Sequence, residues 1–162
     1  MTEWETPPDL FDRLWEEFGP FNLDPCCRPE HYTARRVLDN GGAIYIPTMP
    51  PPGLERVYMN GLRSAWIGRV FMNPPYGREI GCWVAKAVNA VESGSAERVV
   101  ALLPARTDTR WWQSYVMTSL DGVHPRARLV RFLPGRLRFG RQSCQLGAIN
   151  SAPFPSVVVV WE

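Results

Sequence analysis

The chain has 162 residues, 45% of them hydrophobic and 21% charged, and a formal net charge of +2. Such a length and composition suit one compact domain with a real core and exclude a disordered or fibrous chain. No apolar run approaches the roughly 20 residues that span a bilayer, and the N-terminus has no basic n-region or apolar h-region, so a soluble, intracellular (cytoplasmic) protein is expected.

The first predicted element is a helix over "TPPDLFDRLWEEFG". Thr6 is its expected N-cap, Pro7 sits at the tolerated first position and Asp9 lies near the positive end of the dipole. Leu10, Phe11, Leu14, Trp15 and Phe18 recur at helical spacing, and Gly19-Pro20 stops the run. "FNLD" then reads as a short extended segment closed by Pro25. Residues 28–57 read as a loop region, "RPEHYTARRV" partly helical and "NGGAIYIPTMPPPG" rich in Gly and Pro with one short predicted strand, "AIYI".

From residue 69 the pattern becomes regular. "RVFM" is a predicted strand, and "REIGCWVAKAVNAVES" a helix with Ile80, Trp83, Val84, Ala87, Val88 and Val91 on one face. "RVVALLP" is a second, wholly apolar strand, and "DTRWWQSYVMTSL" a helix on which at least one of Trp111 and Trp112 reads as core rather than as a base contact. "ARLVRFL", "RLRFG" and "PSVVVVWE" follow as strands without helices between them. Apolar strands alternating with helices imply parallel pairing with both faces covered. The expected class is therefore α/β, a mixed and mainly parallel sheet with an antiparallel strand pair at the C-terminus. No linker or separate recognition domain is visible.

Four cysteines, Cys26, Cys27, Cys82 and Cys144, have neither a disulfide framework nor metal-ligand spacing. Neither His31 nor His124 completes such a pattern, and no metal is expected. All but one of the 18 basic residues are arginine, and Arg126, Arg128, Arg131, Arg136, Arg138 and Arg141 crowd one stretch. Arginine binds phosphate bidentately and stacks on bases, so this stretch suits a polyanion, although outward charges on a solvated strand pair would look the same.

"NPPY", residues 73–76, follows directly on an apolar strand. In open α/β sheets ligands bind beyond the carboxyl ends of parallel strands. The Asn73 side chain and the Pro74 carbonyl can both accept hydrogen bonds from one amine. Pro75 stiffens the loop, and the Tyr76 ring offers a face to a planar base. A plain turn with a packed tyrosine fits these four residues equally well.

Six blocks of the chain, taken in order, resemble the small phage-type DNA N6-adenine methyltransferases, the Dam-like branch of the NPPY amino-methyltransferases. They are Glu3 to Pro7, Phe21 to Cys26, Trp66 to Gly77, Leu102 to Trp111, Phe132 to Phe139 and Ala152 to Ser156. The resemblance implies a reduced Rossmann-like fold and methyl transfer from S-adenosylmethionine to the exocyclic N6 amine of adenine in DNA, the base being flipped out of the duplex. It implies a catalytic loop of Asn73, Pro74, Pro75 and Tyr76, and a cofactor site with Thr6, Pro7, Asp24, Pro25 and Cys26. Arg106, Arg136, Arg138 and Arg141 are the DNA-binding candidates. Two departures stand out: Cys26-Cys27-Arg28 replaces the glycines usual after Asp-Pro, and Asn60-Gly61-Leu62 replaces Asp-Gly-Leu. Methylation of cytosine N4 or of a protein glutamine, and a DNA-binding module without catalysis, are the alternative readings.

Overall fold

A computed structural model describes residues 5–27, 33, 61–117, 122–139 and 151–162 of the chain. The predicted strand "AIYI", His31, Cys144 and Arg141 lie outside the described residues. The elements are α1 (Pro8–Phe18), β1 (Gly68–Met72), α2 (Ile80–Glu92), β2 (Ala96–Pro104), α3 (Arg110–Tyr115), β3 (Ala127–Phe132) and β4 (Ser156–Trp161).

The strands form a mixed sheet in the order β1-β2-β4-β3. β1 and β2 pair in parallel, while β4 runs antiparallel to both of its neighbours. The expected C-terminal antiparallel pair is therefore present, as β3 against β4. The expectation of mainly parallel pairing needs correction, because β4 is inserted between β2 and β3 instead of closing the sheet outside them. Its composition accounts for this: all six residues from Ser156 to Trp161 are buried. A strand apolar on both faces belongs in the middle of a covered sheet. β3 shares the direction of β1 and β2, since both β2 and β3 oppose β4.

The segment Phe21–Asp24 extends the sheet beyond β1. The Asn22 N–H donates to the Arg69 carbonyl at 2.7 Å and the Phe71 N–H to the Leu23 carbonyl at 2.9 Å, a parallel bridge of Leu23 with Val70. Two apolar clusters sandwich the sheet. On one face α2 and α3 bury Trp83, Val84, Ala87, Val88, Trp111 and Trp112 against Val99, Ala101, Val157 and Val159. On the other, α1 buries Leu10, Phe11 and Leu14 against Phe21, Phe71, Val100, Leu102 and Val158. Phe21 is thus a core residue, its ring tilted against Phe11 and Phe71. Each fully buried aliphatic side chain contributes about 1.5–3 kcal/mol.

Three further expectations change at the element ends. The N-cap of α1 is Pro7, with Pro8 the first helical residue, so Thr6 lies one position outside the helix. α3 ends at Tyr115, sooner than the thirteen-residue pattern predicts, where the Trp161 indole donates to the Tyr115 carbonyl at 2.8 Å. Among the described residues of "RLRFG", Arg138 makes an isolated bridge with Ser151 in place of a strand. Among the described residues no helix is long and apolar enough to cross a membrane.

Candidate active site

Because Leu23, β1 and β2 point the same way, the chain leaves all three at one edge of the sheet. Asp24–Cys27, Asn73–Gly77 and Pro104–Thr109 therefore lie side by side. β4 runs the other way and enters the sheet there, which brings Phe154 and Ser156 to the same edge.

Asn73 is held from two directions. Its Nδ2 donates to Thr6 Oγ1 at 3.0 Å, and its backbone N–H faces the Cys26 sulfur. Thr6 is buried, as is Asn73 Oδ1, the acceptor end of the same amide. The residue before α1, the loop after Leu23 and the loop after β1 thus meet at a single asparagine.

Pro74 is buried and Pro75 exposed. The Pro75 carbonyl accepts the Gly77 N–H at 3.0 Å, and this turn leads into α2. The half-buried Tyr76 is tethered through its hydroxyl, which donates to the Leu102 carbonyl at 3.1 Å. Burial pushes the phenol well above its ordinary pKa, with the neighbouring Cys26 acting in the same direction. The phenol is accordingly neutral. Its ring stands edge-on to Phe154 (5.2 Å between centroids) and to Phe139 (6.2 Å). Sequence reasoning had not assigned either phenylalanine to the site, although both lie in segments carrying the resemblance. Nothing local in "RLRF" or "APFPS" reveals that the two rings converge on one tyrosine.

Asp24 is buried, and its carboxylate shapes its own loop. Oδ1 accepts the Cys26 N–H at 3.0 Å, and the Cys27 N–H and the Thr33 hydroxyl also donate to the carboxylate. Burial raises its pKa to about 6 and outweighs these three hydrogen bonds, which lower it. Burial likewise holds the Cys26 thiol well above its ordinary value, helped by the charges of Asp24 and Cys27. Behind this loop the Pro25 carbonyl abuts Gly61, where a Cβ would come to 2.3 Å from that oxygen and 2.7 Å from the Trp83 ring. Only glycine permits that approach. The Pro7 carbonyl is engaged in the helix, accepting the Leu10 and Phe11 N–H groups at 3.1 and 3.0 Å.

The arginine-rich stretch divides into two kinds. Arg131 makes a bidentate pair with Glu17, both bonds 2.6 Å, and Arg128 pairs with Glu162 at 3.0 Å. The Glu17 carboxyl is lowered mainly by that hydrogen bond. These two arginines tie β3 to α1 and to the end of β4. Arg106, Arg136 and Arg138 are exposed, and Arg106 stands in the loop after β2, at the edge occupied by Asn73. Among the described residues no group of three or more His, Cys, Asp or Glu side chains is placed to hold a metal ion.

Residues 56–162, from before β1 to the end of β4, match the family described as DNA N-6-adenine-methyltransferase (Dam). No curated protein matches the chain. The matched span contains the Asn73–Tyr76 loop and both phenylalanines that meet Tyr76. Thr6 and Asp24–Cys26 lie outside it.

Proposed function

The chain belongs to the DNA N-6-adenine-methyltransferase (Dam) family and is an adenine-specific DNA methyltransferase; we propose how its residues carry that reaction. In this reading the fold is a reduced Rossmann-like methyltransferase domain. Asn73, Pro74, Pro75 and Tyr76 hold the amine of an adenine flipped out of the duplex, and Thr6, Pro7, Asp24, Pro25 and Cys26 border the methyl donor. S-adenosylmethionine, when bound, supplies an electrophilic methyl on a sulfonium.

The observation that carries the reading is the contact of both halves at Asn73. Thr6 bonds its amide and Cys26 faces its backbone N–H. Methyl transfer requires donor and acceptor in van der Waals reach, since its rate depends chiefly on positioning. The residues suit the donor. A cation bound beside Asp24 would favour the ionised form of that buried carboxyl.

The amine nitrogen of adenine is a weak nucleophile because its lone pair is spread into the ring. Asn73 Oδ1 and the Pro74 carbonyl each accept one amine hydrogen, which favours a tetrahedral nitrogen with a localised pair. The same two oxygens disperse the positive charge that grows as the N–C bond forms. Neither oxygen is a base, so the proton lost from the amine passes to water. Tyr76, neutral and tethered to Leu102, presents its ring to the base without bearing charge. Extrahelical binding is needed because the amine inside a duplex is out of reach.

The test is transfer of tritiated methyl from S-adenosylmethionine to unmethylated DNA, with the product nucleosides separated. Asn73→Ala is expected to lose turnover by at least about a hundredfold, in line with loss of a transition-state hydrogen-bond partner, and Tyr76→Ala by about tenfold or more, in line with loss of one base–aromatic stack. Both should still bind the cofactor in calorimetry. Loss of cofactor binding by both variants would overturn the assignment of this loop to the acceptor.

A further inference from the structure

An asparagine side chain is a clamp only if the correct end faces the amine. Its two ends have nearly the same shape, and the nitrogen end would present donors to a donor. The structure tethers this amide: Nδ2 donates to Thr6 Oγ1 at 3.0 Å. Thr6 is itself buried and lies just ahead of Pro7, the cap of a helix packed on the sheet. Thr6 is not the N-cap of α1, a place taken by Pro7.

We propose that Thr6 is a positioning residue that holds the Asn73 amide in place against the substrate amine. This rests on the reading of Asn73 as the acceptor clamp. The bond spans 67 positions of sequence, so the orientation of the catalytic side chain depends on docking of α1. Thr6 touches neither the base nor the reacting methyl in this role; it acts through Asn73. Without the hydroxyl, the amide loses this tether, and only the fraction of enzyme with the amide in place remains productive.

Thr6→Val keeps the shape and removes the acceptor, while Thr6→Ser keeps the acceptor. With saturating DNA and S-adenosylmethionine, Thr6→Val is expected to lower kcat about tenfold, the scale of one hydrogen bond. Dissociation constants for S-adenosylmethionine and for duplex DNA should stay within about twofold, and Thr6→Ser should recover most of kcat. The inference is overturned if Thr6→Val keeps kcat within twofold. It is also overturned if cofactor affinity falls as far as kcat, or if Thr6→Ser fails to recover it. Asn73→Ala, measured alongside, separates the two levels. If it retains turnover, the clamp reading itself is wrong; if it loses turnover while Thr6→Val does not, only the role of Thr6 is wrong.

Discussion

The sulfur of Cys26 faces the backbone N–H of Asn73, and this joins the loop after Leu23 to the loop after β1. Burial and the adjacent Asp24 keep that sulfur a neutral thiol, whereas Cys82 is exposed on α2. The thiolate is the reactive form. Iodoacetamide at pH 8 should therefore modify Cys82 in the folded protein and spare Cys26, as read by peptide mass mapping. Equal labelling of the two would contradict the buried thiol.

Asp24 sets a pH dependence of stability with a definite sign. Its pKa rises from 3.8 to about 6 on folding, so the folded state holds a proton that the unfolded chain releases. The associated stability is complete below about pH 4 and is lost as the pH rises through 6, by up to about 3 kcal/mol. Urea midpoints of the wild type relative to Asp24→Asn should fall between pH 4 and 7. A difference that rises with pH over that range would refute the burial effect.

Gly61 fills the only space left between the Pro25 carbonyl and the Trp83 ring, and its own carbonyl accepts the Trp66 indole N–H at 2.9 Å. Gly61→Ala must push one of these apart, at a cost of about 1–3 kcal/mol typical of overpacking. A lowered melting temperature, with S-adenosylmethionine binding weakened through displacement of Pro25, is the expected result. Unchanged melting would mean that the loop yields freely.

Much of the fold is legible locally because its signal repeats every few residues. The buried stripe of α1, the six predicted positions of α2 and the apolar runs of β1, β2 and β4 all appear where the periodicity puts them. The order of strands is another matter: β4 reaches the middle of the sheet by pairings that no local pattern encodes. The site divides in the same way. Asn73–Tyr76 stands out by composition, but Thr6 reads as a helix cap because Thr before Pro-Pro usually is one. Its actual partner is 67 residues away. Likewise Arg131 looks like free charge until Glu17, 114 residues distant, closes on it.

That division among the arginines yields the final prediction. A cation already held by a carboxylate has little to gain from a phosphate, whereas an exposed arginine at the site edge can displace a counterion. Each phosphate contact steepens the dependence of DNA affinity on salt by about one unit in the double-logarithmic slope. Arg138→Gln, beside Phe139, and Arg106→Gln, in the loop after β2, should each flatten the slope by about that amount. Arg131→Gln should leave the slope unchanged and instead lower stability by up to about 1 kcal/mol, the scale of an exposed pair with Glu17. Fluorescence anisotropy with a labelled duplex between 50 and 200 mM salt reads the first effect, and urea unfolding the second. A flattened slope in Arg131→Gln with stability intact would show that the Glu17 pair opens to DNA, and the assignment of Arg131 to the fold would fall.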